Sequence, residues 1–217
     1  MIRKVAGLYF SPAGGAAEMT ERLAEQIGAI LRDCCPDGVK VECHDLTKET
    51  QGIGIDEETV AVIGMPVYVG KIPLPGAAAL RSVEGKGALA LTAVTYGGRS
   101  YGNALYELSR ITEDCGFKPV GAGAFMHSFM ALRGSSRPSE PLLDTEVMSD
   151  FCKAASAKIM RLGGSEVEAL KIRPMPVEVK GRMPVHKISR ISPAAAATAQ
   201  KLIELISVKR RRSEWFL

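Results

Sequence analysis

The chain opens on a unit whose geometry is dictated locally. Arg3 to Phe10 (RKVAGLYF) is a short apolar run, and it stops abruptly at Ser11-Pro12-Ala13-Gly14-Gly15-Ala16-Ala17. Met19, Leu23, Ile27, Ile30 and Leu31 then recur at helical spacing, forming one apolar face. Strand, glycine-bearing turn and helix follow with no spare residues between them. The first N–H groups of such a helix lack intrahelical acceptors, and the positive end of its dipole points the same way. The turn reads as an anion site, and a phosphate is the group it suits. The plainer alternative is a tight turn in which Gly14 and Gly15 only relieve the backbone.

The rest of the chain repeats the same alternation. Val39 to Leu46 (VKVECHDL) alternates apolar and polar residues, as a strand near a sheet edge does. Thr59 to Val67 and Gly87 to Tyr96 are continuous apolar runs, the pattern of parallel strands buried on both faces. Pro75 to Arg81 and Tyr101 to Glu113 read as helices, Lys118 to Met126 as a fifth strand, and Leu142 to Leu162 as a helix ended by Gly163-Gly164. Strands alternating with helices imply a doubly wound parallel α/β sheet. The turns after Phe10, Met65 and Tyr96 all follow strand ends on one rim, where open α/β sheets hold ligands.

Composition narrows the function. A charge of +4 is mild, and much of it sits in Lys209-Arg210-Arg211-Arg212, so no basic face for nucleic acid is expected. That run suits a solvated tail; contact with an acidic partner or an anionic membrane, aided by Trp215 and Phe216, is its sharper reading. No apolar run approaches the ~20 residues of a membrane span, so a cytoplasmic protein is expected. The five cysteines are odd in number and lack CxxC spacing, which points to free thiols rather than a metal site. Residues 166–217 differ in character from residues 1–165. Lys171 to Pro184 is proline-rich and reads as an extended segment, and Ser192-Pro193 opens a helix over Ala195 to Ile206.

The three turns together resemble a flavodoxin-like domain. Ser11-Pro12-Ala13-Gly14-Gly15-Ala16 fills the slot of the family's phosphate loop, [ST]-x-T-G-x-T. Pro66-Val67-Tyr68-Val69-Gly70-Lys71-Ile72-Pro73 and Tyr96-Gly97-Gly98-Arg99-Ser100-Tyr101 are similar to its second and third loops. The stretches PVYVGKIPLP and TYGGRSYGNAL look like the flavodoxin half of bacterial proteins that fuse such a domain to a two-cluster [4Fe–4S] ferredoxin. The likeness covers about residues 1–165. It implies a five-stranded parallel sheet of order 2-1-3-4-5, FMN as cofactor, and a redox partner protein. It places the FMN phosphate on Ser11, Ala13, Gly14, Gly15, Ala16 and Ala17. The ring falls to Pro66, Val67, Tyr68, Val69 and Gly70, and to Tyr96, Gly97, Gly98, Arg99 and Tyr101. Lys71 and His127 with Ser128 lie near the same rim. No general acid or nucleophile is identified.

The chain departs from this pattern twice. Ala13 and Ala16 stand where the family pattern has threonine. Loss of a hydrogen bond to a charged group costs about 1.5–3 kcal/mol, and about 1.4 kcal/mol is tenfold in affinity. FMN binding weakened tens-fold or more is the expectation. Residues 180–217 contain no cysteine, so no iron–sulfur cluster is expected in this chain. Three functions stay open: an FMN flavoprotein in electron transfer, a degenerate flavodoxin fold acting as an interaction module, and an FMN-dependent NAD(P)H or quinone oxidoreductase.

Overall fold

The computed structural model describes residues 2–35, 38–48, 53–97, 100–127, 143–163, 179–181 and 214–217. Its elements are β1 (Lys4–Tyr9), α1 (Gly15–Cys34), β2 (Lys40–Asp45), β3 (Thr59–Pro66), α2 (Leu74–Arg81), β4 (Leu89–Tyr96), α3 (Ala104–Asp114), β5 (Lys118–Met126), α4 (Thr145–Gly163) and β6 (Glu214–Phe216). The strands form one sheet in the order β2-β1-β3-β4-β5-β6. The first five are parallel in register, with Val5 opposite Val41 and Val60, and Ala61 opposite Ala90.

Alternation along the strands builds two cores. Val5, Val60, Val62, Leu91 and Phe125 face Met19, Leu23 and Ile27 of α1 and Phe151, Ala155 and Ile159 of α4. Ala6, Leu8, Ala61, Ile63 and Val94 point the other way, onto Leu80 of α2 and Leu105, Leu108 and Ile111 of α3. β3 and β4 are mainly apolar and buried almost throughout, Thr59, Thr92 and Thr95 included, because both faces are covered. β2 is only partly buried, as its mixed sequence requires at an edge.

The sheet keeps the expected parallel order 2-1-3-4-5 and extends it at one edge. Glu214–Phe216 adds a sixth strand, antiparallel to β5, with Trp215 opposite Gly123 and Phe216 opposite Ala122. Trp215 also approaches Phe151, ring centroids 6.2 Å apart. Three residues are too few to show a period of two, and the run Lys209–Arg212 just before them reads as solvated. Placed here, the strand covers the outer edge of β5, which would otherwise present unpaired backbone groups. Helix boundaries also shift. Tyr101 to Asn103 form a turn before α3, since Gly102 has a φ of 57°. The helix expected from Leu142 starts at Thr145. The segments 166–178, 182–213 and 128–142 lie outside the described residues, and with them the expected helix from Ser192 and the run Lys209–Arg212.

α1 is seated on the sheet by close approach. Its buried Thr20 donates to the Ala16 carbonyl at 2.7 Å and presses on β3 at Gly64. A Cβ at Gly64 would lie 1.7 Å from Thr20 Oγ1, so only glycine admits the helix there. This contact fixes the first turn of α1 over the ends of β1 and β3.

Candidate functional site

The three loops following β1, β3 and β4 meet at one rim of the sheet. In loop 1 the chain leaves β1 through Phe10, whose N–H donates to the Gly64 carbonyl at 3.2 Å. Ser11 N–H donates to Thr47 Oγ1 at 3.0 Å, so the segment after β2 braces the loop. Gly14, with φ 88°, is the residue before the helix. A side chain there would meet nothing within 4 Å, so the left-handed backbone alone selects glycine.

The donors of loop 1 divide in two. Gly14 N–H goes to the Ser11 carbonyl at 3.3 Å and Glu18 N–H to the Gly14 carbonyl at 3.0 Å. Ala17 N–H goes to Ser11 Oγ at 2.9 Å. Among the described residues, the N–H groups of Ala13, Gly15 and Ala16 have no acceptor. Pro12, Ala13 and Gly14 are exposed. Those N–H groups, at the positive end of a 20-residue helix, match a phosphate monoester. Ser11 Oγ accepts from the helix, yet its own proton can still be donated outward. No lysine or arginine lies within residues 11–17.

Glu18, in the first helical turn, carries a charge that opposes an incoming phosphate. It is held on both sides. Arg22 lies 2.8 Å away and His127 Nε2 lies 3.1 Å from its other oxygen. The His127 ring is buried and stands 3.5 Å from where a Cβ on Gly15 would be. Its main-chain N–H donates to the Tyr96 carbonyl at 3.0 Å. His127 thus joins loop 1 to the end of β4. Ser128 lies outside the described residues.

Loop 2 and the start of α3 form one body. Tyr68 and Lys71 exchange backbone bonds of 2.8 and 3.2 Å around Val69 and Gly70. Both central residues have positive φ, 53° and 73°, the signature of a type I′ turn. Val69 is 83% exposed and β-branched, a residue type that strongly resists this backbone. The Gly70 carbonyl accepts from Asn103 N–H at 2.9 Å. Gly70 also packs directly on Gly102, where a Cβ would sit 2.6 Å from the Gly70 Cα. Below them, Ile72 N–H donates to Glu107 Oε2 at 3.1 Å. Glu107 is 1% exposed.

The aromatic residues separate. Tyr68 is 48% exposed at the rim, whereas Tyr96 is 6% exposed and packs edge-on to Tyr101, ring centroids 5.6 Å apart. Pro66, Val67, Lys71 and Tyr101 are partly buried, Gly97 is exposed, and Gly98 and Arg99 lie outside the described residues. An open groove of about 690 Å³ runs elsewhere, between α1 and β2, lined by Glu21, Glu25, Glu42 and Cys43 among others. Its carboxylates suit no phosphate. Burial raises the thiol pKa of Cys43, of Cys115 and, to about 12, of Cys152, which keeps them protonated.

Sequence reasoning placed the three loops but missed Glu107, Asn103 and Thr47. Glu107 left a trace: it falls on the apolar stripe of Ala104, Leu108 and Ile111, where a charge needs a reason. The contact of His127 with Glu18 spans 109 residues and left none.

A parallel 2-1-3-4-5 core sheet, helices on both faces and glycine turns at the C-terminal rim define a flavodoxin-like α/β fold. No family model matches the chain, and no curated protein does. Solved structures similar to it include a flavodoxin from the domain Archaea, 13% identical with a TM-score of 0.47 over 74% of this chain and 99% of that one. Oxidised Flavodoxin 1 from Bacillus cereus is 17% identical, TM-score 0.45, over 73% and 99%. The apo form of an NADH:FMN oxidoreductase is 13% identical, TM-score 0.47, over 73% and 89%.

Proposed function

We propose that the protein is a cytoplasmic flavodoxin-like flavoprotein that binds FMN at this rim and passes electrons to a redox partner protein. The reading is carried by the Ala13, Gly15 and Ala16 N–H groups, which are available to an anion at the start of α1. The backbone of residues 13–17 and the Ser11 hydroxyl would hold the phosphate. Pro66 to Gly70 and Tyr96 to Tyr101 would flank the ring. Bound FMN supplies one- and two-electron chemistry, and the protein's part is to hold it and tune its potential. An aromatic wall such as Tyr68 excludes water from the ring and disfavours its anionic reduced form.

Absorbance titration of the purified protein with FMN tests this. Saturation with a dissociation constant of about 1 μM or tighter supports it. Failure to saturate at a few hundred micromolar overturns it. A second reading, an interaction module without the cofactor, is favoured by Ala13 and Ala16, which leave no threonine hydroxyl in loop 1. It predicts no saturation in the same titration.

A further inference from the structure

We propose that Glu107 is the positioning residue of the second loop: its buried carboxylate holds the Tyr68–Ile72 turn in the shape that faces the cofactor ring. The proposal rests on the FMN reading for what the turn receives, but not for the latch itself.

A carboxylate at 1% exposure is costly as packing, since an apolar side chain of similar volume would avoid its desolvation. Two features make it tolerable. It lies in the first turn of α3, at the favourable end of the dipole. It also accepts from Ile72 N–H at 3.1 Å, a backbone donor that burial has removed from water. Ile72 directly follows the Tyr68–Lys71 turn. The same turn is gripped from above by Asn103 N–H on the Gly70 carbonyl and by the Gly70–Gly102 contact. Val69 is held at a φ of 53° with its side chain in solvent, so the turn's own Tyr68–Lys71 bonds must hold that conformation without help from packing of the Val69 side chain. Strained residues persist where their surroundings over-determine them. Here the surroundings are α3, and Glu107 supplies the side-chain acceptor of that grip.

The test compares E107L, E107Q and G102A with the wild-type protein. Amide exchange is followed without FMN, and FMN affinity is measured separately. E107L removes the acceptor, and Ile72 and its turn neighbours should exchange at least about tenfold faster while β1 and β3 amides hold. E107Q keeps an oxygen acceptor and should restore wild-type protection. G102A places a Cβ 2.6 Å from the Gly70 Cα and should open the same amides from the opposite side, which decides the matter if E107L does not fold. Unchanged exchange at Ile72 in E107L, or in G102A where E107L is lost, overturns the latch. Faster exchange with unchanged FMN affinity overturns the positioning role. A wild-type protein that ignores FMN, yet shows the exchange contrast, overturns the cofactor reading and leaves the latch standing.

Discussion

The two ends of the rim are built on opposite principles. Loop 1 is open and neutral: its tip is exposed, and its chemistry is backbone N–H groups supported from behind by Thr20, Thr47 and His127. Loop 2 is bound to α3 by a buried carboxylate, a backbone hydrogen bond and a glycine–glycine contact. The first end depends on the placement of a helix. The second depends on a strained turn held by its neighbour. The proposed anion binding at the first should therefore respond to side chains that add donors, and shape at the second to side chains that loosen the grip.

Substitutions separate the two. The largest expected effect is on the seat of α1. G64A drives a Cβ to 1.7 Å from Thr20 Oγ1 and should cost about 3 kcal/mol in urea unfolding, by overpacking. Adding T20A should recover part of the loss, a non-additivity expected of residues in contact. Full additivity would mean that the helix is not seated at this contact. Next is A13T, which restores one hydroxyl at an exposed position of loop 1. FMN affinity should rise about tenfold, the worth of one hydrogen bond to a charged group. An unchanged affinity would place the phosphate elsewhere.

A smaller effect is expected in loop 2. V69G removes the strain of a β-branched residue at φ 53° and, because Val69 is exposed, loses little packing. The unfolding midpoint should rise, by about 1 kcal/mol in stability. A fall would show that the side chain contributes contacts the turn needs.

A last substitution lies away from both loops, bears on acid stability alone and serves as a control. Burial raises the Glu42 carboxyl, but hydrogen bonds from Lys40, Lys4 and His44 outweigh it and hold its pKa at about 2, below the ordinary 4.5. A depressed folded pKa gives stability that is present above 4.5 and lost as pH falls toward about 2. E42Q should flatten that part of the stability–pH curve without altering FMN binding at neutral pH. An unchanged slope would assign the acid loss to other carboxylates.

Most of the fold was legible because its elements are written at two clear periods. β3 and β4 are mainly apolar, β-branched-rich runs, and α1 carries its stripe through five turns and more. The loops were legible because glycine at Gly14 and Gly70 marks backbone that other residues resist, whereas Gly102 fell inside the helix expected from Tyr101. β6 was not, since three residues after a basic run carry no periodic signal and owe their place to the edge of β5. Nor were the supports of the site. Glu18 meets His127, and Ile72 meets Glu107, only because the sheet order brings distant turns to one rim.

The most direct measurement is a parallel titration of the protein with FMN and with riboflavin, which differ only in the phosphate. The account predicts saturable binding of FMN, tighter than riboflavin by at least about tenfold, since loop 1 sees nothing else. Equal affinity for the two, or saturation by neither, would contradict it.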